Sequence, residues 1–147
     1  MSVLWRLLAG FGVLFHLLAF VLESLLWMRP EVHARFGLDE AGAEATRLIF
    51  FNQGFYNLFL ALGCAAGLAL VSRRPQVGRA LISFTCLSMA GAGLILAISA
   101  PEKLGAACLQ GGPPLLALGI AWSQWRSPPP SLDPSQLDSS PPAQEPA

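Results

Sequence analysis

A chain of 147 residues with nine basic and nine acidic side chains, and hence no net charge, carries no basic stripe for a phosphate backbone, which argues against nucleic acid as a partner. It is 54% hydrophobic and 12% charged, where soluble domains carry about 25% charged residues. A chain this small has no water-soluble core in which to hide so much apolar side chain, so the composition is that of an integral membrane protein.

Four apolar runs define four expected spans: Trp5 to Met28, Leu48 to Val71, Val77 to Ile98 and Leu104 to Trp125. Each is over 20 residues, or about 30 Å or more at helical rise, which matches the hydrocarbon thickness. A spanning strand needs only about 10 residues of alternating polarity, and that pattern is absent. The expected fold is therefore all-α, a four-helix transmembrane bundle over residues 1–126 with a disordered Pro-rich tail over 127–147.

The first run exceeds the roughly 7–15 apolar residues of a signal peptide, and no small-x-small cleavage pattern follows it, so it reads as a retained helix. The first connection, Arg29 to Arg47, is the longest. It holds Pro30, then Gly37, then Asp39-Glu40, which reads as a helix start with Asp39 as N-cap; the second helix should begin above the membrane surface. His33 in this connection has no evident partner and reads as solvated.

In the second helix, Gly63 and Gly67 form a GxxxG signal for close packing with a neighbour. Cys64, Cys86 and Cys108 fall in separate runs and read as small hydrophobes. Pro75 and Pro101 mark the remaining connections. The fourth run contains Leu109-Gln110-Gly111-Gly112-Pro113-Pro114. Its prolines deprive the carbonyls of Leu109 and Gln110 of their donors, so a kink with free acceptors is expected. The tail has seven prolines in its 21 residues and nothing to bury, which reads as a solvated segment.

An up-and-down path puts the N-terminus, the second connection and the C-terminus on one side, with Arg6, Arg73, Arg74, Arg79 and Arg126. The other side has Arg29, Arg35, Arg47 and Lys103. The Arg73-Arg74-Arg79 cluster beside a short connection favours a cell (inner or plasma) membrane protein with both termini cytoplasmic.

Polar side chains within a span are costly and usually face the bundle interior. Here they are His16 and Glu23 in the first helix, Asn52, Gln53, Tyr56 and Asn57 in the second, and Gln110 in the fourth. Measured at helical rise from the side of the first and third connections, Glu23 lies roughly 7 Å deep, His16 roughly 18 Å, Asn52 and Gln53 roughly 8 Å, Asn57 roughly 15 Å and Gln110 roughly 10 Å. All share one half of the bilayer. His16 and Glu23 share a helix face two turns apart. Asn52, Gln53, Tyr56 and Asn57 cover an arc of about 140°, which fits a helix facing a shared interior.

The leading expectation is a pocket for a small molecule or lipid formed by Glu23, Asn52, Gln53, Asn57 and Gln110, beside Tyr56, with His16 at its floor. Two alternatives stand beside it. One is a membrane-embedded isomerase or oxidoreductase accessory using Glu23 and His16 as acid and base. The other is a structural or subunit role, with the amides as interhelical glue and the Gly63–Gly67 face or the tail against a partner. No catalytic triad, phosphate loop, dinucleotide fingerprint or metal motif is present, so no cofactor and no metal are expected. The oligomeric state is left open.

These residues resemble a known group, the small four-helix membrane proteins described as domain of unknown function 1304. The resemblance covers the chain up to about Trp122. It is most specific in Phe36-Gly37-Leu38 and Asn52-Gln53-Gly54-Phe55-Tyr56-Asn57, with Glu23 and Gln110-Gly111-Gly112-Pro113. Pro114, where a small residue is expected, and the Pro-rich tail depart from the pattern. The resemblance implies a bacterial-type membrane protein with no assigned activity. It supports the architecture and marks the same polar residues.

Overall fold

The structure, a computed structural model, describes residues 3–126; the tail lies outside them. Helix α1 (Leu4–Phe20) continues into a π-helical turn, Val21–Leu25. A short α2 (Pro30–His33) and a 3₁₀ turn (Ala34–Phe36) lead to α3 (Glu40–Leu70), α4 (Pro75–Ser99), a 3₁₀ turn (Pro101–Lys103) and α5 (Leu104–Arg126). Among the described residues there is no strand. Four helical segments are long and apolar enough to cross a membrane: Leu4–Leu25, Glu40–Leu70, Pro75–Ser99 and Pro101–Arg126. They form one bundle in which α1 packs against α3 and α5, and α4 closes the ring on the far side.

The outside of this bundle explains its composition. Leu14, Phe59, Phe84, Ile95 and Leu116 are each more than half exposed, a surface that associates in water and is at home in lipid. The inside is built from small residues, among them Ala9, Ala61, Ala117 and Ala121, as expected where helices associate by close approach of their backbones. The GxxxG pair is used here. A Cβ on Gly67 would lie 2.8 Å from Ile82 Cγ1, and one on Gly63 would lie 2.9 Å from Thr85 Cγ2, so both glycines pack closely against α4, Gly67 buried and Gly63 half-buried. The expectation that this face is open to a partner is corrected by that packing. Cys64 and Cys86 are fully buried with their thiols facing across the same seam, while Cys108 is exposed.

Two expectations about the spans change. The first span ends at Leu25, short of Met28, because Leu26 leaves helical dihedrals (φ −116°, ψ 8°). The fourth helix runs on through Pro113 and Pro114. Pro114 is fully buried, and a Cβ on Gly12 of α1 would lie 3.1 Å from its ring; packing of this kind lets membrane helices carry proline without breaking. The second helix does begin where expected. The Asp39 carboxylate accepts from the Gly42 N–H at 2.8 Å, a side-chain cap on an otherwise orphaned donor.

The first connection is a folded unit. Trp27, Val32 and Ala43 are buried together, flanked by Leu22, Leu26, Phe36, Leu38 and Phe50. Trp27 stacks on Phe50 at 3.6 Å between centroids and meets Phe36 edge-on at 5.1 Å. Its indole N–H donates to the Ala43 carbonyl at 2.8 Å. Gly37 takes the left-handed conformation (φ 77°) that glycine tolerates without strain. The reversal there turns the Leu38 carbonyl back to accept from His33 Nδ1 at 2.9 Å. His33 is therefore a buried, bonded residue, and the expectation of a solvated histidine is corrected.

At the opposite end, buried Trp5 meets Trp125 edge-on at 5.9 Å. Arg6 lies over the Trp5 ring and Arg79 over the Trp125 ring, contacts that draw a cation to an aromatic face.

Candidate functional site

The most distinctive polar arrangement lies where the first span changes helix type. In the turn Val21–Leu25, the Leu26 N–H donates to the Val21 carbonyl, five residues back, at 3.0 Å. Such turns are rare and often occur at functional sites. The widened turn lets two consecutive residues reach α3. Asn57 Nδ2 donates to Glu23 Oε2 at 2.8 Å, and Ser24 Oγ donates to the Phe51 carbonyl at 2.8 Å.

Gly54 makes this approach possible. A Cβ there would overlap Ser24 Oγ and lie 3.0 Å from the Ser24 nitrogen, so only a residue without a side chain fits at this crossing. Phe20 and Phe55, edge-on at 5.2 Å, close one flank. Asn57 is buried and Glu23 half-buried. Among the described residues the second carboxylate oxygen, Oε1, makes no hydrogen bond.

His16 is fully buried. Its Nδ1 lies 2.9 Å from the Gly12 carbonyl, and because a carbonyl only accepts, Nδ1 carries the proton. Nε2 is buried and has no partner among the described residues. Phe15 packs edge-on against the ring at 5.7 Å.

The remaining predicted residues are not drawn into this arrangement. Asn52 is exposed and donates to Leu48, on its own helix, at 3.0 Å. Gln53 is exposed as well, and Tyr56 is 62% exposed. Gln110 is half-buried on α5, without a side-chain hydrogen bond among the described residues. The arc on α3 therefore turns mostly outward, and the expectation that it faces a shared interior is corrected. The reason is length. Helix α3 has 31 residues, and about 20 suffice to cross the hydrocarbon. Counted back from Leu70, the span is complete near Phe51. Asn52 and Gln53 thus stand at the edge of the apolar layer, where polar side chains meet headgroups and water; Tyr56 is exposed about one turn deeper.

Two apolar grooves mark the outer surface in the other half of the bundle. One, of about 330 Å³, lies between α4 and α5 beside Leu87, Leu115, Leu118 and Trp122. The other, of about 610 Å³, lies between α1 and α3 beside Arg6, Gly10 and Ala65. Neither includes Glu23 or Asn57. Among the described residues no three His, Cys, Asp or Glu side chains come together to hold a metal ion.

Sequence reasoning missed Ser24. A serine beside a glutamate near the end of a span is a faint signal, and only the π-turn gives it a partner. Chemically, the pair offers a carboxylate held in place by an amide, with one oxygen free to accept from a hydroxyl, amine or amide of a bound molecule. His16 has no exposed surface from which to act on the same molecule.

The family profile described as "Protein of unknown function (DUF1304)" matches residues 10–122. No curated protein and no solved structure matches the chain.

Proposed function

The chain belongs to the family of unknown function DUF1304, and from the geometry of its own polar site we propose that it is a membrane protein that binds a small molecule or lipid through the Glu23–Asn57 pair. The observation that carries this reading is the 2.8 Å bond from Asn57 to a half-buried carboxylate whose other oxygen has no hydrogen bond among the described residues. Interhelical glue needs only two amides; a carboxylate adds a charge that is costly in a span and useful for orienting a ligand. Gln53 and Tyr56, outward on the next face of α3, and half-buried Gln110 are the residues along which a polar headgroup approaches from the bilayer edge. The same reading has both termini cytoplasmic in the cell membrane, supported by Arg73, Arg74 and Arg79 beside the short α3–α4 connection.

The test is a thermal-shift screen of the purified protein against metabolites and lipids, comparing wild type with Glu23→Gln and Asn57→Leu. A ligand whose stabilisation is lost in both variants supports the proposal. Stabilisation that survives unchanged in both removes it. For orientation, protease accessibility of a C-terminal tag in sealed inverted vesicles gives the side directly.

A further inference from the structure

The larger outer groove lies at the opposite end of the bundle from the Glu23–Asn57 pair, and it has a distinct chemistry. It is an open groove between α1 and α3, with Arg6 at one end and Gly10, Phe11, Leu14, Ala65 and Leu68 among the residues that line it. Arg6 is its only charged residue. From Arg6 to Leu14 the groove descends about 12 Å at helical rise, close to the roughly 15 Å of one hydrocarbon leaflet. A Cβ on Gly10 would meet nothing within 4 Å, so the groove at this position is open space and not a packing seam.

Among the described residues the groove's head is positively charged, with no acidic side chain near it. Arg6 rests over the Trp5 ring at 5.3 Å and reaches Ser72 Oγ at 3.4 Å, at the start of the connection that carries Arg73 and Arg74. Among the described residues every acidic side chain (Glu23, Glu31, Asp39, Glu40, Glu44 and Glu102) lies in the other half of the bundle. Two copies of the chain meeting side by side through this groove would set like arginine clusters against each other across a two-fold axis.

We propose that this groove seats one acyl chain of an anionic phospholipid, with its phosphate against the Arg6 guanidinium. The guanidinium supplies paired N–H donors suited to a phosphate, and the apolar channel begins directly beneath it. The open space at Gly10 admits a chain that a larger residue would exclude.

The experiment is native mass spectrometry of the full chain released from vesicles of equimolar dioleoyl phosphatidylglycerol and dioleoyl phosphatidylcholine. Wild type should retain phosphatidylglycerol over phosphatidylcholine by about fivefold, the factor that corresponds to one basic side chain at an anionic surface. Arg6→Gln should bring the ratio close to one. Gly10→Leu, whose Cβ meets nothing within 4 Å, should reduce retention of both lipids while circular dichroism stays that of wild type. Three results would overturn the proposal: no preference in wild type, a preference lost in Arg73→Gln/Arg74→Gln but kept in Arg6→Gln, or a wild-type dimer that Gly10→Leu dissociates, which assigns the groove to a second copy.

Discussion

Asn57 and Glu23 join the first and second spans by a side-chain hydrogen bond of 2.8 Å. The bond ties a helix interior to a π-turn, so its two ends are unequal in what they tolerate. Asn57→Leu strands a half-buried carboxylate and should lower unfolding stability by about 1–2 kcal/mol. Glu23→Gln keeps an acceptor for the same amide and should lose less than half of that. Chemical denaturation in a single detergent, with both variants side by side, checks the ordering.

Ser24 and Gly54 should behave as one unit. Gly54→Ala forces a methyl group into the crossing and should destabilise by about 1–3 kcal/mol. Ser24→Ala removes one hydrogen bond and should cost about 1 kcal/mol. In the double variant the methyl group no longer meets a hydroxyl, so the combined loss should be smaller than the sum. A double-mutant cycle reads this coupling directly.

The folded first connection gives a local readout. Trp27→Phe keeps a ring against Phe50 but loses the N–H that serves the Ala43 carbonyl. Losing a bond worth about 1 kcal/mol makes opening about fivefold more frequent. Trypsin cleavage after Arg35 should accelerate by that factor, and by far more in Trp27→Ala, while the remaining spans stay intact.

His16 provides the contrasting case. Its Nε2 is a buried polar atom without a partner among the described residues, and the Gly12 carbonyl it bonds already belongs to the α1 backbone ladder. Replacing a buried polar group by an apolar one of similar shape is close to neutral, so His16→Leu should unfold within about 1 kcal/mol of wild type. His16→Ala leaves a cavity and should cost about 2–4 kcal/mol. Unaltered stability of His16→Leu combined with loss of ligand binding would instead make the imidazole part of the site.

The features legible in the sequence were those written in hydropathy and capping. Four apolar runs appear as four spans, and Asp39 caps α3 as its position indicates. The GxxxG pair announced a close helix contact, though not that α4 would occupy it. What the sequence hid depends on geometry over several residues. Helix phase predicted the inward face for Asn52, Gln53 and Tyr56, but α3 is longer than the hydrocarbon is thick, so Asn52 and Gln53, close to where the span is complete, need no interior. His33 looked solvated because its partner is a backbone carbonyl, brought back by the turn at Gly37, and no side-chain pattern encodes that. Glu23 and Asn57 were each visible as costly residues; their pairing required the π-turn, which hydrophobic periodicity does not register.

That turn also governs angular phase. A π-turn holds one residue more than the α-helix it interrupts, so the residues from Leu26 onward are rotated relative to an unbroken continuation of α1. Deleting a single residue from Val21–Leu25 should restore a regular helix and swing Trp27, with the connection it anchors, by about 100° around the axis. The span would remain long enough to cross the bilayer and would be more regular than before, yet its last turn would face the wrong neighbour. In this protein the number of residues in one helical turn specifies tertiary structure as firmly as their chemical identity does.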